Sequence, residues 1–281
     1  MSTSRVGNLA VYAQDALDTV ALPSTSTRYR ITEAIVEHAL ALLETEQGRQ
    51  SLADVATIII QTRERLGRTL PLRRRPTHIY RGSLDNMRTW IDVFLQKMRE
   101  NFPHVHISGR VDGEAEARRY DWGSEMGNYN TVDAGVLFLS EGIIDNMIYA
   151  RQQNQRTAES TYPLFKFQMV ISVAHEIVHF LTGFITGTAT PDTPPGVTAR
   201  PYGRDDVGEA GRWWEDALLG GFVEFWSYPS DPLGSRQAGL PYLFVSGSRS
   251  DAAGQRVSMS YIQEFLDGGE HLTYLTQPAN L

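Results

Sequence analysis

The segment PLFKFQMVISVAHEIVHFLTGFITG, residues 163–187, carries the strongest structural signal in the chain. It is apolar almost throughout, opens on Pro163 and has Gly183 and Gly187 near its end. Proline suits the first turn of a helix and glycine its end. The pattern predicts a long, largely buried helix from Pro163 to about Ile185. Inside it lies His175-Glu176-Ile177-Val178-His179. Residues i and i+4 stand about 40° apart around a helix, one turn along it. Both imidazoles therefore project from one face and can share one metal ion. Neutral imidazole suits Zn²⁺. Glu176 stands about 100° from His175, so it flanks that position without filling a ligand site. A carboxylate there can take a proton from a zinc-bound water, whose pKa falls to about 7. Five residues thus supply two ligands and a base.

The flanks FQMVISVA and FLTGFITG are apolar. Two histidines and a glutamate are costly to bury there without partners. Core hydrogen bonding is the bland way to satisfy them; a single zinc ion held by the two histidines, with Glu176 beside its water, is the expected cofactor.

The HEIVH helix resembles the active-site helix of the zincin superfamily of zinc metallopeptidases. It departs from the metzincin branch, whose HExxHxxGxxH pattern would place Gly at 182 and His at 185; this chain has Thr182 and Ile185. The resemblance is gluzincin-like. In that branch the third ligand is a Glu on a later helix, a few tens of residues on. The segment GEAGRWWEDALLGGFVEFW, residues 208–226, reads as such a helix and offers Glu209, Glu215, Asp216 and Glu224. Glu215 shares a stripe with Gly211, Leu218, Leu219 and Phe222. A carboxylate on an apolar, glycine-bearing face is anomalous unless paired or metal-bound. Glu215 is therefore the expected third ligand. Glu209, at the helix start, is the alternative. The acidic residue usual four positions after the gluzincin ligand is missing, since position 219 is Leu. The resemblance also implies an oxyanion-stabilising donor downstream; His271, Tyr274 and Tyr202 are the candidates. It further implies an edge strand for substrate, a role open to Ala134–Ser140 (AGVLFLS).

Residues 1–28 read as a polar, flexible lead-in. A helical region follows over about 29–72, with Ile31, Ala34, Ile35, His38, Ala39 and Leu42 at helical spacing and a second helix from Leu52 to about Leu66. A helix is expected over 85–99. His104-Val105-His106-Ile107 alternates as a short strand would; its two histidines are a weaker candidate for a second metal site. Residues 112–132 read as an exposed loop, Ala134–Ser140 as a strand and Ile143–Gln152 as a helix. Residues 188–206, with four prolines, form a connector, and a short helix is expected over 258–267. The expected fold is α+β and predominantly helical, with a small mixed sheet. Residues 29–281 would form a single zincin-like catalytic domain.

The net charge of -7 argues against a nucleic-acid partner or an anionic membrane surface, both of which need excess Lys and Arg. Arg73-Arg74-Arg75 reads as a solvated loop. No cysteine is present, which excludes disulfides, thiolate ligands and a cysteine nucleophile. The N-terminal residues lack the apolar core of a signal peptide, and no stretch reads as a membrane span. A cytoplasmic setting is expected. The chain reads as a zinc metallohydrolase, foremost a metallopeptidase acting on a peptide substrate. Two alternatives stay open: a small-molecule hydrolase or cyclase with the same site, and a non-catalytic protein with structural zinc.

Overall fold

The computed structural model describes residues 5–15, 18–69, 78–153, 161–188, 193–199, 207–227, 237–245 and 254–268. Its centre is the helix α6, Tyr162–Thr186, which has Pro163 in its first turn and ends on Gly187. Gly187 takes a left-handed conformation (φ 81°) and donates from its N–H to the Gly183 carbonyl, the closing geometry glycine permits. By length and composition alone this helix is long and apolar enough to cross a membrane, contrary to the expectation that no stretch is. Yet 78% of its most apolar window is buried inside the protein. It is the core helix, apolar all round because neighbours cover it on nearly every side.

Those neighbours are α1 (Thr27–Leu43), α2 (Glu46–Thr69), α5 (Glu141–Gln153), α7 (Ala210–Leu219), α8 (Met259–Leu266) and the strand β4 (Ala115–Arg119). Helix α1 starts at Ser26, whose side chain accepts from the Tyr29 N–H, and buries Ile31, Ile35, Val36, Ala39, Leu40 and Leu43. The helical region expected over 29–72 is these first two helices. Helix α3 (Met87–Glu100) occupies the span expected for it, and a single turn, α4 (Thr131–Ala134), precedes β5. The fold is α+β and mainly helical. One contiguous apolar core draws on residues from Val11 to Leu266.

The larger sheet has the order β2-β1-β3-β5-β4, with β1 (Val11–Gln14), β2 (Thr19–Ala21), β3 (His104–Ser108) and β5 (Gly135–Ser140) joining β4. Strands β1, β3 and β5 run parallel; β2 and β4 are antiparallel edges. Three expectations change here. Residues 1–28 are no mere lead-in, since β1 pairs inside the sheet and buries Val11. Its partner β3 lies some ninety residues on, so nothing local marks it. Strand β5 is interior, and the edge is β4, within the segment expected to be a loop. Glu116, Arg118 and Arg119 hide it from an apolar reading, but charge is what an edge strand carries.

The helix expected over 209–226 is the third change. Helix α7 stops at Leu219, where Gly220 (φ 75°) closes it. The aromatic and β-branched run that follows forms β6 (Phe222–Trp226). With β7 (Leu240–Phe244) and β8 (Gln255–Arg256) it makes a second sheet, antiparallel, in the order β6-β7-β8.

Candidate metal centre

Along α6 the less buried positions after the first turns are Ser172, His175, Glu176 and His179. They lie at helical spacing, and Ser172, His175 and Glu176 line a cleft of about 350 Å³, with His179 one turn beyond. The two rings are 5.2 Å apart, and ligand atoms of His175, Glu176 and His179 all lie within 4.8 Å of one another. The i, i+4 geometry expected from the sequence is present.

A second carboxylate meets them. Glu209 caps the N-terminus of α7, accepting from the Arg212 N–H at 2.6 Å. Its Oε1 lies 2.7 Å from His179 Nε2 and its Oε2 lies 3.3 Å from His175 Nε2. The preceding loop holds it in place: Glu209 N–H donates to the Val197 carbonyl and Gly208 N–H to that of Thr193. Burial works to raise the Glu209 carboxyl, but His175 and then His179 override it and hold it well below the carboxylate range. Burial works to lower the His175 pKa, but Glu209 and then Glu215 hold the imidazole well above its ordinary value. Two Nε2 atoms and a carboxylate converging from two helices form a donor set that zinc accepts, so the residues present fit the ion.

Glu215, the expected ligand, stands elsewhere. It is buried (2% exposed) and accepts from His175 Nδ1 at 2.7 Å, on the opposite side of the ring from Nε2. Its Oε2 accepts from the Val223 N–H at 3.0 Å and from Arg212 Nη1 at 3.2 Å. That arrangement fixes the His175 tautomer with Nδ1 as the donor and leaves Nε2 for a ligand bond. The anomaly of a carboxylate on an apolar face is real, but hydrogen bonding resolves it. Among the other acids, Glu224 lies on β6 and pairs with Arg212 Nη2 at 2.8 Å, while Asp216 does not line the cleft.

Glu176 sits beside the two histidines. Its Oε2 accepts from the Ala117 N–H of β4 at 2.7 Å. The sheet edge therefore positions the carboxylate. This contact, and the Arg212–Glu215–Val223 set, were not foreseen; only the i, i+3 spacing of Arg212 and Glu215 hints at the second.

Helix α7 approaches α6 closely because Gly211 lies against His175. A Cβ at Gly211 would stand 2.4–2.5 Å from ring atoms of His175. Gly211→Ala is expected to displace that ring, destabilise the fold by about 1–3 kcal/mol as overpacking does, and weaken metal binding together with it. Thermal melts with and without zinc check this; an unchanged melting point and unchanged affinity would contradict the contact.

The remaining candidates separate. His104 and His106 lie on β3, where Tyr12 stacks on His106 (4.9 Å between centroids) and Phe138 packs beside it. Among the described residues no acidic or histidine cluster away from the His175–Glu176–His179 face gathers at ligating distance. Tyr202, His271, Tyr274 and Arg73–Arg75 lie outside the described residues. No family model matches the chain, and no characterised protein or solved structure is significantly similar to it.

Proposed function

We propose that the chain is a zinc-dependent metallohydrolase, and among hydrolases a metallopeptidase of gluzincin-like design. The observation that carries this reading is the convergence of Glu209 on both Nε2 atoms of the HEIVH histidines. His175, His179 and Glu209 would hold one zinc ion. Zinc bound there would supply Lewis acidity and make a water molecule acidic enough to ionise near pH 7. Glu176, at the cleft floor, accepts the proton of the attacking water and delivers it to the leaving group. Ala117 N–H keeps that carboxylate aimed, and Glu215 keeps His175 turned.

Three protein donors facing a cleft are the pattern of a catalytic rather than a structural zinc site, which would be closed by four. That disfavours the non-catalytic alternative. Peptides are favoured over small molecules because two strands line the cleft, β4 through Ala115 and β6 through Val223 and Phe225. A chain without cysteine suits a reducing compartment, and a cytosolic site of action belongs to the same proposal.

The purified protein should contain one zinc ion per chain and hydrolyse peptides from a mixed library. Chelation should remove both metal and activity, and zinc should restore both. Zinc binding without any peptide hydrolysis would shift the reading to a small-molecule enzyme. No affinity for zinc would overturn it.

A further inference from the structure

Strands β4 and β6 border the same cleft, and each is the outermost strand of its own sheet. The hydrogen bonds say which way their main chains face. On β4, Ala117 N–H turns away from β5 to reach Glu176. Alternate residues of a strand share a direction, so Ala115, which lines the cleft, also turns its N–H and C=O outward. On β6, the Val223 N–H donates to Glu215 and its C=O accepts from Arg212; both groups therefore point away from β7. Phe225 has the same parity and also lines the cleft. The pairing agrees: Phe225 faces Pro241, which has no N–H to offer, and the Pro241 carbonyl is taken by Val257 on the far side. Beyond Val223, where α7 covers the edge, the main chain of Phe225 is turned to the cleft. Its ring points elsewhere, packing on Phe167 at 6.0 Å.

We infer that the outer edge of β6 at Phe225 is a second rail for the substrate, opposite β4, so that an extended peptide lies between the two sheets and bonds through its main chain to both. The inference rests on the peptidase reading of the cleft. An extended chain presents successive N–H and C=O pairs to alternate sides, and strand addition at an edge uses those groups. With two facing edges, neighbouring residues of the substrate are gripped from opposite sides. Recognition at these positions is of backbone, and it excludes proline and N-alkylated residues at consecutive positions instead of at every second one.

The test uses the zinc-loaded full chain and one peptide that it cleaves. Each amide near the scissile bond is N-methylated in turn. Two rails predict loss of cleavage at consecutive amides; a single rail on β4 predicts loss at every second amide, which would overturn the inference. Independently, Phe225→Pro removes the outward donor without removing a ladder bond to β7, as edge prolines do. It is expected to raise KM for the peptide about tenfold, with kcat and zinc content retained. An unchanged KM in a folded, zinc-replete Phe225→Pro protein would also count against the second rail. If the zinc-loaded wild type cleaves no peptide, the peptidase reading falls and the inference with it, a result distinct from either of the others.

Discussion

Glu176→Gln should retain zinc and lose turnover by about 10²–10⁴-fold, the range supplied by a positioned general base. The amide is nearly isosteric with the carboxylate, and its oxygen can still accept the Ala117 N–H that Glu176 Oε2 accepts at 2.7 Å. Glu176 makes no hydrogen bond to either imidazole, so the donors from His175, His179 and Glu209 stay in place. What the substitution removes is basicity at the cleft floor. Metal content by elemental analysis and kcat on a cleaved peptide separate the two effects. Full activity in Glu176→Gln would refute the mechanism; loss of zinc together with activity would make Glu176 a ligand instead of a base.

The second large effect distinguishes the two acids on either side of the His175 ring. Glu209→Ala removes the carboxylate that faces both Nε2 atoms and should weaken zinc binding by more than about 10²-fold, beyond what an outer partner contributes. It also removes a helix cap, at a cost of about 1 kcal/mol; Glu209→Asn, which can still cap, controls for that. Glu215→Ala leaves the Nε2 side intact and frees the His175 ring to turn, for a loss of about 10–100-fold. It also strands the buried Val223 N–H and removes one of the two carboxylates that Arg212 pairs with, so stability should fall by about 1–3 kcal/mol. Zinc titration and denaturant melts on both variants give the comparison. If Glu215→Ala abolishes zinc binding while Glu209→Ala keeps it, the assignment reverses.

These predictions depend unequally on sequence. The face shared by His175 and His179, with Glu176 beside it, follows from helical geometry over five residues, and the apolar flanks are enough to make that segment helical. The close approach of a glycine-bearing helix was also legible, since only Gly211 leaves room for the His175 ring. Glu209 and Glu215 were both visible as candidates. Which imidazole nitrogen each one meets was not. That depends on where α7 begins, on the angle at which it crosses α6, and on Glu209 being a cap and not a residue of the helix body.

The same division runs through the fold. Amphipathic and buried helices announce themselves because their signal repeats within one turn, and α1, α2, α3 and α6 were read from it. Strands β1 and β4 did not, because each is short and takes its meaning from a partner far away or from an edge position where charge is favoured. At 222–226 the apolar spacing of α7 continues in the sequence, but the Gly220–Gly221 break turns the chain into β6 instead. By itself the sequence determined the face shared by His175, Glu176 and His179 and the mainly helical α+β class, since both arise from local repetition. Only the tertiary structure decided that Glu209 meets both Nε2 atoms, that β4 is the edge beside Glu176, and that β6 borders the cleft, because each of these is a contact between segments whose spacing along the chain carries no period.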